Sequence, residues 1–318
     1  MLCTLQSCLD STSNESWSGV TPGTNLYNKA YVVNNMAMDG VDLALKLATL
    51  LEQAEYENVT ISDGVIDNWD DLNEFILDYD LLNYGLKYFL FNEDENVIIS
   101  KSGDEYTIGY GQSYGDFTCG AGLEKLYRKG VYVVDTKGVK LSESNSSTAW
   151  SITVAQGETM EFSTSSTSST LAKVVSLDSE IYYSGSGIFA FKSTNYQAQY
   201  PNDSVISDWT VSGKYTFSDY NDDLTIDNII DSELAVSILA SGTTLSGDVL
   251  EYSTGGIEEG FDPLVYQPYH SLLTIISGTE EVQFLSYYDV EEYPSGYVHL
   301  SWSSGNLVIY YNNNGYIY

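Results

Sequence analysis

Oxygen-bearing side chains recur at alternate positions in Asp219-Tyr-Asn221-Asp-Asp223-Leu-Thr225-Ile-Asp227. Calcium takes about six to eight oxygen ligands, and loops that hold it supply Asp, Asn and Thr at every second residue. Asp219, Asn221, Asp223, Thr225 and Asp227 are therefore the candidate ligands of a structural Ca²⁺. The segment departs from an EF-hand. Leu224 stands where Gly makes the turn, and Ile230 stands where a bidentate Glu belongs. A solvated acidic turn uses the same residues without a metal.

Carboxylates also come in pairs: Glu258-Glu259 with Asp262, Glu280-Glu281 and Glu291-Glu292. Glycosidic cleavage needs two carboxyl groups at a defined separation, one of them kept protonated. The same pairs serve equally to decorate turns or blunt sheet edges. One further segment bears on this chemistry. Tyr106-Thr-Ile-Gly-Tyr-Gly-Gln112 resembles the Thr-Ile-Gly-Tyr-Gly-His segment of phage-type lysozymes over seven residues. The resemblance implies a catalytic Asp six residues before Thr107 and a catalytic Glu fifteen before it. Lys101 and Asn92 occupy those places, and Gln112 replaces the His. A polysaccharide-degrading enzyme is thus a minor expectation.

Aromatic side chains offer a different chemistry, since exposed rings stack on sugars. Tyr287, Tyr288, Trp302, Tyr310 and Tyr311 are the candidate glycan-binding residues, with Tyr182-Tyr183 as further material. Cross-strand aromatic pairing accounts for such residues without any ligand. The two histidines, His270 and His299, have no metal-binding spacing, and HExxH, CxxC, GxSxG and phosphate-binding glycine motifs are absent from the sequence.

Charge narrows the field further. The chain of 318 residues carries 45 acidic and 12 basic side chains, a net charge of −33. Arg128 is the sole arginine, and only Lys173, Lys192 and Lys214 are basic after residue 140. Nucleic acids are bound by Lys and Arg that displace counterions, so a nucleic-acid partner is not expected. Anionic membranes are disfavoured on the same ground. No run of 18 apolar residues predicts a membrane span, and residues 1–20 lack the basic start and apolar stretch of an ordinary signal peptide. Cys3, Cys8 and Cys119 are odd in number, which argues against a disulfide framework. Hydrophobic residues make up 43% of the chain and Tyr occurs 28 times. That is enough apolar surface to fold, and the tyrosines favour half-exposed strands.

The elements that must position these residues follow from periodicity. Residues 1–27 read as an extended, polar arm. Asp39 is a plausible helix N-cap, followed by an apolar run from Val41 to Ala54 broken only by a stripe at Asp42, Lys46, Thr49 and Gln53, with Glu52 beside its end. A helix so apolar is buried on more than one side. A second helix is expected after Asp67, with Trp69, Leu72, Phe75, Ile76, Tyr79 and Leu82 on one face. Strands are expected at Lys87 to Phe91, Val97 to Ser100, Glu105 to Tyr110 and Val131 to Val134, with a short helix from Leu123 to Arg128. Further on, strand patterns recur about every ten residues, among them Ile188 to Lys192, Trp209 to Ser212, Tyr215 to Ser218, Leu234 to Leu239 and Tyr297 to Trp302.

The expected fold is an α+β N-terminal domain followed by a mainly-β, sandwich or barrel-like C-terminal domain. The expected divisions are an arm at 1–27, a small α+β anchoring domain at 28–145 and an acidic β-rich domain at 146–318. The expected function is that of a non-enzymatic structural component of a virion or extracellular surface, such as a phage capsid decoration, head fibre or tail-associated protein. Its partners would be copies of itself and other assembly proteins, with no nucleic acid and no membrane insertion. A glycan-binding adhesin, with a cell-surface glycan as partner, is the alternative. Apart from a possible structural Ca²⁺, no cofactor is expected.

Overall fold

The computed structural model describes residues 22–56, 97–119, 123–163, 172–199, 206–225, 228, 232–243, 249–254, 263–266, 275–286, 297–303, 306–311 and 314–317. The described residues form one α-helix, a short 3-10 turn at Leu141–Glu143 and one antiparallel sheet. Helix α1 runs Pro22–Tyr56. The strands are β1 (Val97–Ser102), β2 (Glu105–Cys119), β3 (Leu123–Asp135), β4 (Trp150–Val154), β5 (Met160–Ser163), β6 (Ala172–Gly185), β7 (Ile188–Gln199) and β8 (Ile206–Phe217). They continue with β9 (Leu234–Thr243), β10 (Val249–Thr254), β11 (Leu264–Tyr266), β12 (Ile275–Ser286), β13 (Tyr297–Ser303), β14 (Asn306–Tyr311) and β15 (Asn314–Ile317).

All pairings are antiparallel, and the row order β1-β2-β3-β4-β6-β7-β8-β9-β10-β12-β13-β14-β15 makes the sheet a meander, with β5 and β11 off this path. Two rows of the sheet are each filled by two short strands. β4 and β5 share the row between β3 and β6. β10 and β11 share the row between β9 and β12. A glycine stands beside each re-entry point. A Cβ on Gly130 would lie 2.4 Å from the Thr159 carbonyl oxygen, and one on Gly278 would lie 2.3 Å from that of Pro263. Both glycines have positive φ, 142° and 124°, a region closed to most side chains.

The sheet curls around the helix. α1 packs on β4, β6, β7 and β8 and also on β12, β13 and β14. In a flat sheet β4 and β14 would stand roughly 38 Å apart, at about 4.8 Å per row. A helix is only about 10–12 Å across, so touching both requires a rolled sheet. The lengths match as well: 35 helical residues span about 52 Å, and strands of 12–15 residues span about 40–50 Å.

Alternation sets the two faces. On β7, Phe189, Phe191 and Ser193 point inward while Lys192 and Thr194 point out. A bulge between Ser193 and Tyr196, with Asn195 at φ 54°, restores the pattern for Tyr196 and Ala198. The inward set of β4 to β9 is large and apolar, including Trp150, Ile181, Phe191, Trp209, Val211, Tyr215 and Ile238. It meets Val41, Ala44, Leu47, Ala48 and Leu50 of the helix in one core. The expectation of a helix buried on more than one side fits this position.

The fold is mainly β, antiparallel, with one helix near the N-terminus. Several details differ from expectation. Asp39 is not an N-cap, because the helix starts seventeen residues earlier at Pro22, where a proline suits the first turn. Leu123 to Arg128 is not helical but the first half of β3, held by pairing with β2. The two strands expected at Trp209 to Ser212 and Tyr215 to Ser218 are one strand, β8. Residues 145 and 146 fall between β3 and β4, which hydrogen-bond directly. The second helix expected after Asp67 and the strand at Lys87 to Phe91 lie outside the described residues.

Candidate functional site

Among the described residues, a buried ion pair lies inside the roll. Asp39 projects from the middle of α1, with a side chain 0% exposed, and Arg128 Nη2 of β3 lies 3.2 Å from its Oδ1. Tyr132, also on β3, donates its hydroxyl to Asp39 Oδ2 at 2.9 Å. Arg128 Nη1 in turn donates to the Tyr110 hydroxyl of β2 at 2.6 Å, and its guanidinium sits 5.0 Å from the centre of that ring. A lone buried carboxylate costs several kcal/mol, so Arg128 and Tyr132 are what make Asp39 tolerable here. Burial nevertheless pushes the Asp39 carboxyl up, against the pull of Arg128. Burial and then the Asp39 charge hold the Tyr132 and Tyr196 phenols well above their ordinary range.

A second set pins the C-terminal end of α1. Glu52 Oε1 accepts the Ser142 backbone N–H at 3.2 Å, and its Oε2 accepts that of Leu224 at 2.9 Å. One side chain thereby ties the helix to two loops, one after β3 and one after β8. Burial raises the Glu52 pKa despite these bonds. Further back along α1, Tyr215 donates to Asp42 Oδ1 at 2.8 Å, and beside Glu52 the Lys140 Nζ pairs with Glu55 Oε1 at 2.9 Å.

A cleft of about 560 Å³ opens beside this helix end, lined among others by Glu55, Lys101, Asp104, Tyr106, Lys140 and Trp150. Its charges are mixed, and several are engaged. Lys140 holds Glu55, Lys101 lies over the Tyr106 ring at 5.6 Å, and Trp150 Nε1 donates to the Val139 carbonyl at 2.9 Å. Glu52, which reaches its floor, spends one oxygen on each of two backbone amides. As arranged, these groups brace the helix end.

The lysozyme-like segment forms part of β2. Tyr106, Ile108 and Tyr110 point into the core, and Lys101 pairs with Tyr106 across the hairpin. Asn92 lies outside the described residues. Among the candidate calcium ligands, Asp223 Oδ1 accepts the Thr225 backbone N–H at 3.0 Å, the Thr225 hydroxyl at 2.6 Å and the Asn228 side-chain amide. It acts as the cap of the following turn. Thr225 is buried, Asp219 accepts from the Ser218 hydroxyl, and the Asn221 carbonyl accepts from Asn228. Asp227 lies outside the described residues. Among the described residues no three His, Cys, Asp or Glu side chains cluster as metal ligands do.

Of the candidate glycan-binding residues, Trp302 points inward from β13, 8% exposed, and donates its indole N–H to buried Glu280 at 3.0 Å. Ring stacking on a sugar needs an open face, which Trp302 does not present in this position. Tyr310 and Tyr311 lie on β14, with Tyr310 opposite His299 in the ladder, and their side chains are outside what is described. Tyr287 and Tyr288 lie outside the described residues.

Sequence reasoning missed Asp39, Arg128, Tyr132 and Tyr110 as one cluster. Two signals pointed to it: a single arginine in the whole chain, and acidic residues set within a helix otherwise apolar over most of its circumference. No family model, curated protein or solved structure matches this chain. The fold and its interior define a mainly-β protein whose antiparallel sheet is rolled around one pinned helix.

Proposed function

We propose that this chain is a non-enzymatic structural component of a larger assembly, most concretely a virion protein such as a phage capsid decoration, head fibre or tail-associated protein. Its partners on this reading are copies of itself and other assembly proteins, on a virion or an extracellular surface. The finer division belongs to the same reading: an N-terminal arm and α+β part that anchors, and an acidic β-rich part from 146 to 318 that is displayed.

The observation that carries it is where the polar chemistry is spent. Asp39, Arg128, Tyr132, Asp42, Tyr215 and Glu52 each tie the helix to the sheet or its loops. This is the use of buried polar groups to fix one arrangement. The outer face of the sheet supports the same reading. It carries Asp178, Glu180, Lys192, Asp208, Lys214 and Glu251 among Ser and Thr, whereas a membrane barrel turns an apolar band outward. The only arginine is buried in an ion pair, so it offers nothing to a phosphate backbone.

Analytical ultracentrifugation of the purified full chain tests the proposal. A defined multimer, or capture into a complex with co-expressed assembly proteins, supports it. A monodisperse monomer that binds no assembly protein, or glycan cleavage by the purified chain, overturns it.

A further inference from the structure

We infer that a bound water molecule completes the interior cluster, bridging Asp39 Oδ1 of the helix to the Tyr196 hydroxyl of β7. The inference stands independently of the assembly reading above.

Two buried polar atoms carry it. Tyr196 points inward from β7 and is 0% exposed, yet its hydroxyl has no hydrogen-bond partner among the described residues. Asp39 Oδ2 takes the Tyr132 hydroxyl. Asp39 Oδ1 lies 3.2 Å from Arg128 Nη2 but accepts no aligned hydrogen bond. Both atoms are closed off from bulk solvent. Buried hydroxyls and carboxylates are as a rule hydrogen-bonded, and one that is not calls for a specific partner such as an ordered water.

The two groups are neighbours. At this level α1 lies close on the sheet. A Cβ on Gly40 would come 3.0 Å from Ile152 Cγ2 of β4 and 3.0 Å from Leu177 Cδ2 of β6, and 3.7 Å from Tyr132 Cε1 of β3. The next row after β6 is β7. After burial itself, the Asp39 charge is what holds the Tyr196 phenol up. The carboxylate is thus felt at the phenol although no direct bond joins them. Two hydrogen bonds of about 2.8 Å each, made by one intervening molecule, span such a gap.

The chemistry at the two ends selects the molecule. A carboxylate oxygen only accepts, so the bridge must donate to Asp39 Oδ1. The Tyr196 hydroxyl can donate, so the bridge accepts from it. Asp39 and Arg128 already balance each other in charge, and a further ion buried beside them would have no partner. The occupant is therefore small, neutral and both donor and acceptor, which is water. Buried waters make about two to four hydrogen bonds to groups of this kind. With the bridge in place, Asp39 is held from β3 on one side and from β7 on the other, across the β4 and β6 rows on which the helix lies.

A crystal structure of the full chain that shows ordered water tests this, together with magnetic relaxation dispersion of the water oxygen nucleus in solution. The expected result is one density peak within hydrogen-bond distance of both Tyr196 Oη and Asp39 Oδ1. In solution the native chain should hold one more long-lived water than Tyr196→Phe, which keeps the ring and loses only the hydroxyl. A direct bond between Tyr196 and Asp39, an ion at that peak, or the same number of long-lived waters in both chains overturns the inference. If Tyr196→Phe does not fold, the native density alone decides.

Discussion

Arg128 Nη2 stands 3.2 Å from Asp39 Oδ1 in the interior, with the two side chains 5% and 0% exposed. The contact joins the middle of the helix to β3, and it uses the only arginine in the chain. Breaking a buried pair by removing one member costs about 3–5 kcal/mol, because the other charge is left stranded. Arg128→Met is therefore expected to lose stability of that order in urea unfolding. Asp39→Asn combined with Arg128→Met should lose markedly less, since no charge is left buried. A loss below about 1 kcal/mol in the single variant would mean that the pair does not hold the helix.

Glu52 accepts one backbone N–H on each oxygen. Glutamine keeps one acceptor and turns a second donor toward the other amide. Glu52→Gln should cost about 1–3 kcal/mol and speed hydrogen exchange at Ser142 or Leu224. The pH dependence has a definite sign. Burial raises the folded pKa of Glu52 above its ordinary value of 4.5. The stability this group contributes is therefore fully present in acid and is lost as pH rises through the folded pKa. The advantage of the native chain over Glu52→Gln should be largest in acid and shrink on going toward neutrality. An advantage that grows with pH would show that the two amide bonds outweigh burial.

Much of this fold was legible, and the failures have physical causes. The inward and outward alternation of Ile188 to Lys192 marks a strand with one buried face, and β7 has one. Gly213 falls between the two strands expected at Trp209 to Ser212 and Tyr215 to Ser218. It lies inside β8 instead, because a Cβ there would come 2.2 Å from the Ser237 carbonyl oxygen and 2.6 Å from the Phe191 ring. Close approach within a strand, not a turn, requires the glycine. The stretch from Leu123 to Arg128 carries a pattern that suits either a helix or a strand, and pairing with β2 decides it. Asp39 looked like a cap because Asp is a favoured N-cap residue and an apolar run follows it. Its partner Tyr132 is 93 positions away, and no local pattern reveals a contact of that range.

The split rows of the sheet yield a comparison among glycines. Gly103 has φ 61° and open space around its would-be Cβ, so alanine there should cost about 1–2 kcal/mol, the left-handed penalty alone. Gly130 and Gly278 also have positive φ, and there a Cβ would collide with backbone. Gly130→Ala and Gly278→Ala are expected to cost at least about 3 kcal/mol each, by strain in a special conformation. Equal losses at Gly103 and Gly130 in chemical denaturation would argue that the backbone beside Met160 yields easily.

The turn from Asp219 to Asn228 provides the last test, because its acidic residues suit either a cation or a cap. A calcium ligand must turn its oxygens toward the ion and keep them free of competing donors. Asp223 Oδ1 instead accepts from the Thr225 amide, the Thr225 hydroxyl and the Asn228 side chain, which is the work of an N-cap. Capping needs an acceptor but no charge, so Asp223→Asn should keep most of the stability and Asp223→Ala should lose about 0.5–2 kcal/mol. Millimolar Ca²⁺ or a chelator should leave the melting temperature of the native chain unchanged, as read by calorimetry. A melting temperature that rises with Ca²⁺, and stops doing so in Asp223→Asn, would instead assign the turn to the metal, because only an ion-binding carboxylate needs its charge.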